Sequence, residues 1–194
     1  MEKRKFNPMY LVMNQVQKGK VPANSKVWAK PLSDKDEQPL ASWAADEGLL
    51  PEDFDQWEIY DENYDYCVAV VAVTAGTLPA DFSRWDLVIM DNGWTVAHEA
   101  AEQGELPKGF DQWHLANDEG WTVAHVAASE GRMPKGFNQW HLADKKGWTV
   151  AHVAAENERL PYDVSREVLE LEADNSELVE DLLPSDYPLK HYRH

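Results

Sequence analysis

One nine-residue phrase governs what this chain can fold into. Gly120-Trp121-Thr122-Val123-Ala124-His125-Val126-Ala127-Ala128 recurs almost unchanged from Gly93 and again from Gly147, so the three copies start 27 residues apart. Self-similarity at such a period marks stacked supersecondary units, each able to bury its apolar face only against a neighbour. An aliphatic residue followed by proline carries the register outward. It falls at Val21-Pro22, Leu50-Pro51, Leu78-Pro79, Leu106-Pro107, Met133-Pro134, Leu160-Pro161 and, more loosely, Leu183-Pro184, with prolines 29, 28, 28, 27, 27 and 23 apart. A glycine stands three residues before each of the first five prolines, and a tryptophan six residues after (Trp28, Trp57, Trp85, Trp113, Trp140); Glu167 takes that place in the sixth copy. The repeat predicts one domain over 1–194: an N-terminal cap unit at 1–28, an array over 29–160, and a C-terminal cap and tail at 161–194.

The pattern Gly-x-Thr-x-x-His-x-Ala-Ala-x-x-Gly-x-Leu resembles the ankyrin repeat. It is carried by Gly120, Thr122, His125, Ala127, Ala128, Gly131 and Met133, with parallel sets from Gly93 and Gly147. The resemblance implies an all-α fold, an ankyrin-like repeat solenoid with degenerate terminal caps. Two departures modify it. The units are five or six residues shorter than the usual ~33. Proline also falls where a second helix would take its first turn, so that helix must begin at the proline and be short. Pro8–Lys18 and Pro39–Glu47 read as first helices, and residues 29–38 read as loop. The third unit's Cys67–Ala75 is valine-rich and would suggest a strand by itself, but the register on both sides predicts helix. Beyond Pro161 the pattern fades: 168–171 fits strand or helix, and 177–183 reads as a short amphipathic helix. Residues 1–8 read as a loose basic leader, and 185–194 as a tail folded back through Tyr187 and Tyr192.

Eight of the nine tryptophans occupy two repeat positions: the row of Trp28, Trp57, Trp85, Trp113 and Trp140, and the row of Trp94, Trp121 and Trp148. A ring recurring once per unit predicts a packing ladder between neighbours. Trp43 alone is out of register and is the candidate for an aromatic contact with a partner. Thr95/His98, Thr122/His125 and Thr149/His152 place a capping residue at a helix start and a histidine one turn later. The resemblance gives these pairs a structural role, tying the helix start to neighbouring backbone. Zinc ligation is disfavoured, because three residues at one repeat position form a row about 10 Å apart rather than a cluster.

The charge is not explained by the repeat. The net charge is −17, and residues 36–107 hold 17 acids against Arg84 alone, while residues 1–35 hold eight cations and two acids. Such a field repels nucleic acid and attracts basic surfaces; the total charge equally suits solubility, since a single-file array exposes much surface, whereas its concentration in 36–107 points toward function. The chain has no glycine-rich phosphate loop, no Gly-x-Ser-x-Gly and no cysteine pair at zinc spacing, so no enzyme and no cofactor is expected. Cys67, the one cysteine, excludes an internal disulfide and suits a reducing, cytoplasmic setting. No apolar run is long enough to span a membrane, and the N-terminal segment is already in repeat register rather than shaped as a signal peptide.

By resemblance, partner contacts come from the loop before each first helix and from the helix's exposed end. The residues at those places are Asp46, Glu47, Asp61, Glu62, Asp65, Asp91, Glu102, Asp118, Glu119, Glu130, Asp144 and Glu156, together with the uncharged Asn92, Gln103, Ser129 and Asn157, with Trp43 beside them. Most of these positions are acidic, which predicts an acidic concave surface gripping a basic surface on another protein. In its sharpest form that partner is a DNA- or RNA-processing enzyme of a defence or restriction type, inhibited by nucleic-acid mimicry, as in phage or bacterial systems. The alternatives are an ordinary scaffold or immunity protein using an aromatic and acidic patch, and a structural homo-oligomer in which the basic leader of one chain docks on the acidic region of another.

Overall fold

In a computed structural model, residues 8–33, 36–62, 65–185 and 187 are described. The chain divides into two compact units, Met1–Ile89 and Met90–His194. The first contains α1 (Met9–Val16), β1 (Pro31–Ser33), β2 (Asp36–Pro39), α2 (Leu40–Asp46), β3 (Tyr60–Asp61), β4 (Tyr66–Cys67) and α3 (Val68–Thr74). The second contains α4 (Val96–Gln103), α5 (Val123–Ser129), α6 (Val150–Glu156), α7 (Arg166–Leu169) and a 3-10 turn at Val179–Leu182. The leader at 1–7 and most of the tail, Tyr192 included, lie outside the described residues. Tyr187 does fold back, donating from Oη to the Pro161 carbonyl at 2.7 Å and packing on Tyr162.

The repeating unit is ankyrin-like, a hairpin leading into a first helix. Helices of seven or eight residues are too short to hold together alone, and neighbouring repeats hold them. In the first unit α2 packs on α3; in the second α4 packs on α5, α5 on α6, and α6 on the 3-10 turn. The contact faces are made small. Ala97, Ala100, Ala124, Ala127, Ala151 and Ala154 are at most 1 % exposed, so alanine allows the backbones to approach closely. The valine-rich α3 is helical, because its tertiary setting overrides local propensity. Residues 29–38, read as loop, instead form the antiparallel β1–β2 pair, which leads straight into α2. In the second unit the same lead-in is reduced to single bridges, Ala116 with Thr122 and Ala143 with Thr149. The bridge between Glu172 and Leu178 repeats that geometry, so 161–185 keeps the register of a worn final repeat.

The second helix is trimmed further than the proline alone predicts. In the units after Pro51, Pro107 and Pro134 it is two successive hydrogen-bonded turns, while after Pro161 it survives as the four-residue α7. Phe54 N–H donates to the Pro51 carbonyl and Ile59 N–H to Gln56; Phe110 to Pro107 and Leu115 to Gln112; Phe137 to Pro134 and Leu142 to Gln139. The burial that the helix would have supplied comes from aromatic rings. In the first unit Trp28, Phe54, Trp57, Phe82 and Trp85 alternate edge to face with centroids 4.8 to 5.6 Å apart. In the second, Phe110, Trp113, Phe137 and Trp140 do the same at 5.0 to 5.5 Å. This crossed arrangement sets the positive ring edge against the negative face. The tryptophans of this row are buried to 7 % exposure or less. Trp94, Trp121 and Trp148 are different: they are half-buried, and each lies on the imidazole four residues downstream at 4.8 Å.

The two tryptophan rows therefore should not be equivalent. Trp113→Ala is expected to lose about 3–5 kcal/mol, and Trp121→Ala distinctly less, in urea denaturation of the two variants. Equal losses would show that the edge-to-face row is not the main source of burial.

Candidate interaction surface

The surface is set by what holds the repeats in register. At the start of α4, α5 and α6, Thr95, Thr122 and Thr149 are extended N-cap residues. Their backbone N–H groups donate to Nδ1 of His98, His125 and His152 at 3.0 to 3.2 Å, and the threonine Oγ1 atoms lie 2.6 to 2.8 Å from the same nitrogens. The other ring nitrogen reaches the next repeat. His98 Nε2 lies 3.0 Å from the Trp121 carbonyl, His125 Nε2 2.9 Å from that of Trp148, and His152 Nε2 3.0 Å from that of Glu177. A carbonyl only accepts, so Nε2 carries the hydrogen and Nδ1 is the acceptor. Both nitrogens are occupied, and no lone pair remains for a metal ion. Burial, opposed in part by the carbonyl contacts, holds His98 and His125 below the ordinary imidazole value.

The first unit lacks this staple. Pro39 and Cys67 stand at the cap position, with Ser42 and Val70 at the histidine position. Ser42 is fully buried, and its hydroxyl has no hydrogen-bond partner among the described residues. Burial also pushes the Cys67 thiol up, the opposite of what a nucleophile needs.

Hairpin tips in the second unit stack through main-chain bonds. Asp118 N–H donates to the Asn92 carbonyl at 2.8 Å, and Lys145 N–H to that of Glu119 at 3.1 Å. The stacking needs Gly120: its φ is +82°, and a Cβ there would sit 2.8 Å from the Lys145 nitrogen. Helix C-termini are joined as well. Thr77 Oγ1 donates to the Ala45 carbonyl at 2.5 Å, and Arg132 donates to the Glu102 carbonyl.

Most of the acids at the helix ends and hairpin tips are exposed. Asp46 and Glu47 end α2; Glu62, Asp65 and Asp91 lie on loops; Glu102 ends α4, Glu130 caps α5, and Asp118 and Glu119 form one hairpin tip. Asp65 accepts from the Tyr60 hydroxyl. Two of the residues read as contacts are placed otherwise. Asp61 is fully buried, so it does not present its carboxylate to a partner. Asp144 is half-buried and serves its own hairpin, Oδ1 accepting from Lys146 N–H at 2.8 Å and Trp148 N–H at 2.9 Å. Asn117 does the same for Glu119 and Trp121. Trp43 is half-buried on α2. Glu102 is exposed, yet partial desolvation, together with the carboxylates of Glu99 and Glu130, pushes its carboxyl up, opposed in part by Arg132.

Sequence reading passed over the phenylalanines. Phe54, Phe82, Phe110 and Phe137 each stand three residues after a repeat proline, a signal as regular as the tryptophan's. It also passed over the groove they line in the second unit, about 900 Å³ between the turns at 106–110 and 132–139.

No protein-family model and no curated protein matches the chain. Among solved structures it is similar to the ankyrin repeat domain of Bcl-3, described as a unique member of the IkappaB protein family. The identity is 14% over 99% of this chain and 100% of that one, with a TM-score of 0.36, an overlap too loose to bear on function. Among the described residues no helix is long and apolar enough to cross a membrane.

The staple makes stability depend on pH in a definite direction. With native values for His98 and His125 below about 6.5, the unfolded chain takes up their protons first as pH falls. Their stabilisation is therefore complete above about pH 6.5 and is lost as pH drops from there toward the native values. The melting temperature of wild type should fall more between about pH 7.5 and 5.5 than that of His98→Gln/His125→Gln, although the variant starts lower. Parallel pH profiles would show that the two rings do not carry the effect.

Proposed function

We propose that this chain is a non-catalytic protein-interaction module whose exposed carboxylates grip a basic surface on a partner protein. The observation that carries the reading is where those carboxylates sit. Asp46 and Glu47, Glu102, Glu130 and Glu156 stand at the C-terminal ends of α2, α4, α5 and α6, and none of these helices has a basic residue in its last turn. The helix dipole favours cations there, and an anion costs roughly 0.3–1 kcal/mol. A surface shaped for stability would place lysine at those positions. Acids that recur where the fold opposes them are better accounted for by what they meet outside the chain.

The sharper form of the reading is mimicry. In the second unit Glu102, Glu130 and Glu156 recur once per helix, and a regular row of carboxylates can stand in for backbone phosphates in the channel of a nucleic-acid-handling enzyme. The cytoplasm suits such a role, since buried Cys67 is kept as a thiol there. The scaffold alternative, in which Trp43 on α2 provides an aromatic anchor, predicts a contact that resists salt.

The test separates stability from binding. Glu102→Lys/Glu130→Lys should melt higher than wild type, because each change turns an opposed charge into a favoured one. It should also lose partner protein in pull-downs at about 100 mM salt, as wild type does at about 500 mM. A variant that melts higher and retains every partner would reduce the acids to a solubility device. Recovery of a DNA- or RNA-processing enzyme lost at high salt supports mimicry, and an unrelated protein that survives high salt supports the scaffold.

A further inference from the structure

We infer a second, oppositely charged docking groove in the second unit, shaped for an extended acidic peptide segment. It is independent of the acidic contacts above. The groove of about 900 Å³ is built on two copies of one turn, Pro107-Lys108-Gly109-Phe110 and Pro134-Lys135-Gly136-Phe137. Lys108, Lys135 and Arg132 line it, and no carboxylate does, in a chain with 35 acids to 18 cations. Arg132 is engaged with the Glu102 carbonyl. Lys108 and Lys135 are exposed and have no ion-pair partner among the described residues.

The first unit shows what is particular here. Its equivalent turns read Pro51-Glu52-Asp53-Phe54 and Pro79-Ala80-Asp81-Phe82, and the cavity between them is about 300 Å³, with Glu52, Asp53, Asp55 and Asp81 on its wall. Its phenylalanines are covered, at 5 % and 7 % exposure. In the second unit glycine replaces the aspartate. Gly109 and Gly136 have φ of +89° and +81°, and a Cβ built on either meets nothing within 4 Å. Phe110 and Phe137 are half-buried there, their rings partly open to the groove. Each turn thus offers a lysine beside an uncovered ring.

The two half-sites lie one repeat apart, roughly 10 Å by helix-packing distances. A chain in the extended polyproline-II conformation covers that in about three residues at about 3.1 Å each, and its three-residue turn brings every third side chain back to the same face. The occupant is therefore a peptide with carboxylates three positions apart and apolar residues between them. A cavity of about 480 Å³ continues past Lys135 and Phe137 toward Asp163, which places an acid at its far end and leaves the two lysine turns as the acidic peptide's seat. Peptide is favoured over nucleic acid because the net charge of −17 repels a polyanion at long range, whereas a short peptide bears only a few charges.

The test uses the full chain and a fluorescently labelled peptide with glutamate at every third position among leucine and glycine, read by anisotropy. The glutamate peptide should bind saturably and the matching glutamine peptide much more weakly. Lys108→Glu/Lys135→Glu should weaken binding by about tenfold or more with unchanged melting. Gly136→Asp, which restores the first unit's residue, should weaken it too. Undiminished binding to the lysine variant, equal binding of the glutamine peptide, or no binding at millimolar peptide overturns the proposal. So does tighter binding of a labelled oligothymidylate. So does a salt-sensitive dimer, seen by sedimentation, that the lysine variant abolishes, because the occupant would then be a second copy. The residues changed are disjoint from Glu102 and Glu130, so either proposal can fail without the other.

Discussion

An edge-on ring between two others is the contact on which this economical repeat depends. A 27- or 28-residue unit has given up its second helix, and with it the apolar face that would have closed the layer behind the first. Two turns remain, and turns bury little. Phenylalanine three residues after the proline and tryptophan six residues after it restore the burial with a few large side chains. Because they alternate in a crossed stack within each unit, each inner ring contacts both its own repeat and a neighbouring one. The proline fixes where the turn begins, and the aromatic pair fixes how the next repeat must sit.

The second unit adds a polar staple to that apolar one. A histidine buried at zero exposure is tolerated because both nitrogens are engaged, one by the threonine at its own helix start and one by the backbone of the next repeat. The ring also carries a tryptophan on its face. Removing any member leaves a buried polar group without a partner, which costs more than the bond itself contributes. The first unit shows the same positions without the device: Ser42 and Val70 replace histidine, and short hairpins lead into α2 and α3.

Much of this was legible in the sequence, and the parts that were not have physical reasons. The repeat register, the helix positions and even the helical state of the valine-rich 68–74 followed from period alone, because neighbours impose on each unit what its own residues do not decide. The extent of the second helix did not follow. Proline at a first turn permits a helix as readily as it permits a β-turn, and the aromatic spacing of three fits both. Solvent exposure was legible for Glu102, Glu130, Asp118 and Glu119. It was not legible for Asp61, which is buried, nor for Asp144, whose carboxylate is spent on its own hairpin. An aspartate at a loop looks the same in sequence whether it faces a partner or caps backbone.

Charge is where the two levels of explanation separate. Packing accounts for the alanines, rings and histidines, and nothing in packing calls for acids at helix C-termini or for lysine and glycine in just two of the repeat turns. Residues that the fold would rather not have, or is indifferent to, are those whose identity must be explained from outside the chain. Glu102 shows this most plainly. Partial desolvation and two neighbouring carboxylates already oppose its ionisation, and it lies at the wrong end of a dipole. Arg132, the cation nearest by electrostatics, spends a guanidinium nitrogen on the Glu102 carbonyl. The Arg132 charge offsets only part of that opposition, and the Glu102 side chain stays exposed to solvent or to a partner.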